Sequence, residues 1–285
     1  RRHGGDQPVG YVVDVLARRT KQFVGTFVPK GGVGYVKIDG NQFDEPVYVG
    51  DSTAKQARKG EKVVVEMLRF PSERYEAEAV ISEVLGGRHT SGVDTLTIMR
   101  EFDLPDEFSE QVLEESRTMA ARFEEEDWTK DRKDLTEETV ITIDPEDARD
   151  FDDAISLGRL DNGHWRLGVH IADVSHFVRP NTNLDNEAFK RGNSVYLPDR
   201  VIPMLPELIS NGLASLQPDR VRMTLTAEME FNSEGIPVST MVVDTAVKSC
   251  RRFTYEEVDD YIDHPAKWRD KPVSYTHLRA HETTV

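Results

Sequence analysis

The sequence reads as an all-β barrel followed by an α+β domain, and three observations carry that reading. Between Phe23 and Leu85 five strand-like runs (QFVGTFV, GYVKI, PVYV, KVVVEML and EAEAVISEVL) follow one another, parted by KGG, DGN and RKGEK turns. β-Branched and aromatic residues bounded by such turns are what short, half-buried strands require. Beyond residue 88 the period changes, and helical and strand patterns interleave. Third, an acidic stretch, TIDPEDARDFDDA at 142–154, is held between the apolar runs Val140–Ile143 and Ala154–Leu157. It therefore belongs to a loop between strands and not to a floating acidic tail.

Taken in order, residues 1–19 hold one alternating strand, Gly10 to Leu16, with basic ends. Residues 20–88 contain the five strands, and that many in about sixty residues fits an OB-fold barrel. Residues 89–134 read as an acidic helical connector. Its helix runs from Glu107 to Glu126, with Asp106 as its candidate cap and Phe108, Val112, Leu113, Met119, Ala120 and Phe123 apolar. From residue 135 strands return. HWRLGVHIADVSHFV is a buried strand with a turn, and NLDNEAFKRGN a short helix ended by Gly192. Pro198, Pro203 and Pro206 hold the next segment extended, and PELISNGLASL follows as a short helix. RMTLTAEMEF and STMVVDTAVKS pair around an NSEG turn. Thr254 and Glu257 set a capping box at the head of the helix FTYEEVDDYID.

The formal net charge of −16 is unevenly spread. Residues 1–88 carry 14 Lys and Arg against 12 Asp and Glu, whereas 101–153 carry 6 against 21. The front of the chain can therefore meet a phosphate backbone, and the acidic stretch can do so only with cations. No apolar run is long enough to cross a membrane, and the single cysteine, Cys250, excludes an internal disulfide framework. A monomeric cytoplasmic protein with no membrane contact is the expectation.

Asp144, Asp150, Asp152 and Asp153 carry the chemistry. Crowded carboxylates repel one another and resist losing water unless cations or protons compensate. Hard oxygen donors without thiolates suit Mg²⁺, with Mn²⁺ as an alternative, and two such ions can clamp a phosphoryl displacement. The competing reading is a solvated acidic loop, and residue chemistry alone leaves the two even. In the barrel, Phe27, Tyr35, Phe43 and Tyr48 are interleaved with Lys30 and Lys37, the pattern of a stacking platform for single-stranded nucleic acid. Core is the better reading for any one ring, and binding for at least one of them. His170, Asp173 and His176 have a spacing that invites zinc. Without a further ligand cluster, His170 and Asp173 read as groups behind the first ligand shell.

The string TIDPEDARDFDDAI resembles the signature that opens the catalytic RNB domain of the RNase II/RNase R exoribonucleases. The resemblance continues through HIADVSHFV (170–178), RGNSVYLPDRVIPMLPELISNGLASL (191–216) and RMTLTAEMEF (222–231), and covers about residues 1 to 272. It implies that residues 20–88 are a cold-shock-like RNA-binding domain, that 1–19 end a preceding one, and that 135–272 are the first part of an α+β RNB domain. It also implies that the four aspartates hold Mg²⁺, with Asp150 and Asp152 central to catalysis, and that Tyr196 stacks on a base near the cleaved 3′ end. The activity implied is processive hydrolysis of single-stranded RNA from the 3′ end to nucleoside 5′-monophosphates, the motifs leaning towards RNase R. The alternative is a non-catalytic RNA-binding OB module. The start without methionine and the tail VSYTHLRAHETTV (273–285), which continues no family pattern, set the expectation of a fragment with a non-native end. Set against the family, it lacks the second half of the catalytic domain and the S1 domain, so the resemblance implies an inactive one.

Overall fold

The computed structural model describes residues 11–268 apart from 12, 14, 19, 52, 73, 126 and 127. The strand expected over Gly10–Leu16 lies partly, and the tail 273–285 wholly, outside these residues. The chain forms two compact units, one of residues 1–106 with 196–202, the other of 107–195 with 203–285.

In the first unit β1 (Gln22–Lys30), β2 (Val33–Ile38), β3 (Val47–Asp51), β4 (Glu61–Arg69) and β5 (Glu78–Gly87) close a barrel in the order β1-β2-β3-β5-β4. Strand alternation sends Val63, Val65 and Met67 inward, onto Phe27, Val36, Ile38 and Val47. Val64, between them, is buried on the outer face with Val24, Leu85 and Val93. The cover there is α1 (Val93–Glu101), a helix the sequence pattern did not disclose. Closure brings β2 hard against Gly25. A Cβ at that position would lie 2.5 Å from the Lys37 carbonyl oxygen and 2.6 Å from Val36 Cγ1. Gly25→Ala is expected to cost the first unit roughly 1–3 kcal/mol, because backbone and a packed methyl must both shift. Thermal unfolding followed by circular dichroism would measure it, and an unchanged melting temperature would refute the close approach.

The second unit begins with α2 (Glu110–Glu125), capped by Ser109, whose hydroxyl accepts from Val112 N, and not by Asp106, which pairs with Arg100. Five strands then close a second barrel in the order β11-β12-β6-β7-β8: β6 (Lys133–Asp144), β7 (Asp153–Arg159), β8 (Trp165–Ala172), β11 (Val221–Phe231) and β12 (Pro237–Thr254). Along the chain between β8 and β11 lie α3 (Val174–Phe177), α4 (Asn183–Arg191) and the hairpin strands β9 (Val195–Tyr196) and β10 (Val201–Ile202), the hairpin from residue 196 to 202 being counted with the first unit. α5 (Tyr255–Asp263) follows β12 and carries the expected capping box of Thr254 and Glu257. The expected antiparallel pair is β11–β12, but β12 runs on to pair in parallel with β6, placing Thr254 opposite Asp144. The short helix expected in PELISNGLASL is a π-helical turn, Leu208–Leu213.

The inward face of this barrel is unusually polar. His170, fully buried at 0 % exposure, has Nδ1 2.8 Å from Thr226 Oγ1 and Nε2 2.9 Å from Ser156 Oγ. Thr245 Oγ1 joins the network, 2.6 Å from Thr224 Oγ1 and 2.5 Å from Thr226 Oγ1. Gly168 makes the room, since a Cβ there would sit 2.5 Å from Ser156 Oγ and 2.9 Å from His170 Nε2. Every member can donate or accept, which lets these groups stay buried.

Candidate active site

The loop between β6 and β7 carries all four predicted aspartates, with Asp144 ending β6 and Asp153 opening β7. The two strands pair only at Val140–Ser156 and Ile141–Ile155, so the segment between them must be fixed from elsewhere. Phe151 anchors its middle by burying its ring in the core. Phe151 N donates to Ser215 Oγ at 3.0 Å, Ser215 Oγ donates to Arg149 O at 3.0 Å, and Leu216 N donates to Phe151 O at 2.9 Å. Ala172 N donates to Asp152 O at 2.8 Å. On the other limb the Arg252 guanidinium donates to the carbonyls of Pro145 and Glu146. A short acidic loop is thus held through its backbone, by neutral groups and by one guanidinium, and not through its carboxylates.

Those carboxylates are electrostatically coupled. Loss of water raises the Asp144 carboxyl above its ordinary value, helped by the charges of Asp153 and Asp150 and opposed by the Thr142 hydroxyl and the Arg252 guanidinium. Its Oδ2 is buried with no hydrogen-bond partner. Asp152 is raised too, first by partial desolvation and then by the charges of Asp150 and Asp153. An orphaned buried carboxylate oxygen at Asp144, and two carboxyls raised beside the charges of Asp150 and Asp153, are what a hard cation would relieve. In donor chemistry the loop fits Mg²⁺ or Mn²⁺. Among the described residues, no three His, Cys, Asp or Glu groups converge at metal-ligand spacing.

The remaining predicted residues fall in different places. His170 does not face the aspartates, because both its ring nitrogens are engaged by Thr226 and Ser156; the alternation of β8 that buries it turns it into the barrel. Asp173 caps α3, accepting from His176 N at 3.1 Å, and forms a buried pair with Arg132. Burial works to raise its carboxyl, but hydrogen bonds from Ser175, Arg132 and His176 N and the Arg132 charge hold it below its usual range. The hydrogen bonds of both side chains run to groups other than the four aspartates. Phe27 departs from its expected role. Its ring is 0 % exposed in the first barrel's core and cannot stack on a base while the barrel is closed.

Tyr35, Lys30 and Lys37 do meet. They line a cleft of about 940 Å³ on the first unit, together with Phe43, Arg74 and Tyr75. Tyr35 leans edge-on against Tyr48 with ring centroids 5.9 Å apart. Tyr196, 70 % exposed, stands on β9 at the start of the short hairpin with β10. The sequence reading missed Ser215, Arg222, Arg252 and Arg132. Ser215 and Arg222 fall inside the family motifs at 191–216 and 222–231 but nothing in those strings gives their partners, while Arg132 and Arg252 act on groups far away in sequence.

These two barrels, with an acidic loop at the β6–β7 junction, define the class. The RNB domain profile matches residues 132–284, through the tail set aside above, and the cold shock domain profile matches 35–109. The chain belongs to the RNB-domain family of exoribonucleases, and its relatives place it on the ribonuclease R side of that family. It is 42 % identical to ribonuclease R of Thermotoga maritima over 265 residues, which is 92 % of this chain and 37 % of that protein. It is 39 % identical to ribonuclease R of Escherichia coli over 247 residues, 87 % of this chain and 30 % of that one. Among solved structures it is similar to Mycoplasma genitalium RNase R in complex with double-stranded RNA, with TM-score 0.84, 26 % identity and coverage of 96 % and 48 %. Yeast Ssd1, a pseudonuclease, shares the fold at TM-score 0.69 and 18 % identity. The chain spans about a third of the length of the curated relatives it matches. No helix among the described residues is long and apolar enough to cross a membrane.

Proposed function

We propose that this chain supplies the acidic centre and an RNA-binding barrel of a 3′-to-5′ exoribonuclease that hydrolyses single-stranded RNA processively to nucleoside 5′-monophosphates. The observation that carries the reading is the β6–β7 loop, with four aspartates pinned through their backbones and a buried Asp144 oxygen left without a partner. Asp144, Asp150, Asp152 and Asp153 would hold Mg²⁺, or Mn²⁺ in its place. Bound there, the cations would activate water and neutralise charge on the phosphate and the departing 3′ oxygen. The chain's own residues do the rest. Arg252 offsets part of the loop's negative charge, Phe151 and Ser215 keep the loop from swinging, and exposed Tyr196 offers its ring to a terminal base. A fold shared with a pseudonuclease does not decide catalysis, so the loop must.

The test is a chain completed to the length of its relatives, incubated with 5′-labelled single-stranded RNA and Mg²⁺. A ladder of products shortened from the 3′ end is expected. RNA that is bound but never shortened would sink the reading.

The cleft beside Tyr35 favours a second reading, an RNA-binding barrel that works without cleavage. In either case Tyr35→Ala is expected to weaken single-stranded RNA binding by about 1–3 kcal/mol, the worth of one stacked base. Fluorescence anisotropy would show it. Unchanged affinity would move the RNA off this face.

A further inference from the structure

Arg222 is a buried guanidinium whose hydrogen bonds all run to backbone. Nε donates to Ser215 O at 2.8 Å, one terminal nitrogen to Gly212 O at 2.9 Å and the other to Val221 O at 3.0 Å. Burying a guanidinium is costly, and burial pulls its pKa down to about 10. Here that charge serves one turn. The π-helical turn Leu208–Leu213 ends with Ala214 N donating to Ile209 O, and its wider winding leaves the Gly212 carbonyl for Arg222. Ser215 follows at 0 % exposure, with its hydroxyl bridging Phe151 N and Arg149 O. Asp150 lies between those two positions, and the backbone oxygen of Asp152, one residue on, is held by Ala172.

We propose that Ser215, braced by Arg222, is a positioning residue for the acidic loop, fixing the backbone from which the Asp150 and Asp152 carboxylates project towards a divalent cation. The inference rests on the cation reading given above. Ser215 touches neither substrate nor cation. Removing its hydroxyl leaves the buried Phe151 N without an acceptor and Arg149 O without this donor, and the loop must move to satisfy them. Outer-shell groups of this kind typically change metal affinity about 10–100-fold.

The experiment is an Mn²⁺ titration of this chain, read by electron paramagnetic resonance, for wild type, Ser215→Ala, Ser215→Thr and Leu184→Ala. Leu184 is a fully buried core residue of α4, and its truncation serves as the control for general destabilisation. Ser215→Ala is expected to weaken Mn²⁺ binding about 10-fold or more, Ser215→Thr to restore it by keeping a hydroxyl, and Leu184→Ala to leave it unchanged. Wild-type affinity in Ser215→Ala overturns the proposal, as does an equal loss in Leu184→Ala. Should Ser215→Ala not fold, Arg222→Lys, which keeps the charge and gives up the fork, takes its place under the same criteria. A wild-type chain that binds no Mn²⁺ overturns the cation reading and this proposal together, whereas normal wild-type binding with an indifferent Ser215→Ala overturns this proposal alone.

Discussion

Asp152→Asn is expected to cut 3′ shortening of labelled RNA by about 10²-fold or more, in a chain completed to the length of its relatives. The same substitution is expected to raise the melting temperature of the cation-free protein. Both effects come from one arrangement. Desolvation and the charges of Asp150 and Asp153 hold the Asp152 carboxyl above its ordinary value, so the folded state disfavours its ionised form. A group raised on folding contributes stability that is present below the unfolded pKa and lost as pH rises through the folded one. At neutral pH the ionised Asp152 therefore works against the fold, and a neutral amide removes that opposition. Calorimetry in a chelating buffer beside the RNA assay measures both. A variant that loses activity and also melts lower would place Asp152 among structural groups.

Acid is expected to weaken the second barrel by about 3 kcal/mol between neutral pH and pH 4 through His170 alone. Burial pulls this imidazole down from 6.5 to about 4, since a cation there would be surrounded by hydroxyls with little access to water. The unfolded chain binds the proton more readily than the folded one across that window. The contribution is therefore complete above the unfolded pKa and disappears as pH falls towards the folded one. Urea unfolding of wild type and His170→Gln from pH 7 to pH 4 isolates it, with a shallower pH dependence expected in the variant. Parallel curves would mean that His170 takes up its proton inside the barrel at little cost.

The first barrel was legible because its signals are local. Alternating apolar runs and glycine turns are sufficient to propose five strands, and the family motifs locate the aspartate loop. Phe27 shows the limit. Its aromatic neighbours and nearby lysines suggest a platform, but strand alternation aims it inward, and the facing register that decides this is a property of the closed sheet. His170 misleads in the same way, because its partners Ser156 and Thr226 come from two other strands. The helix α1 was hidden because VDTLTIMRE is weakly apolar and buries little besides Val93 and Met99. Ser215 and Arg222 sit inside family motifs that say nothing of what they bond. Their role exists only once Arg149 and Phe151 are brought beside them.

The parallel pairing of β12 with β6 has a consequence for how the molecule comes to exist. Thr254 must find Asp144 across an intervening stretch that includes β7, β8, α4 and β11. Contacts so distant along the chain form late and slowly, since the cost of closing the loop precedes any gain. A nascent chain leaving the ribosome exposes its four aspartates well before β12 can steady the strand that bears them. The acidic loop is thus among the last parts of this unit to mature, and the barrel's closure sets when its backbone is first held in place.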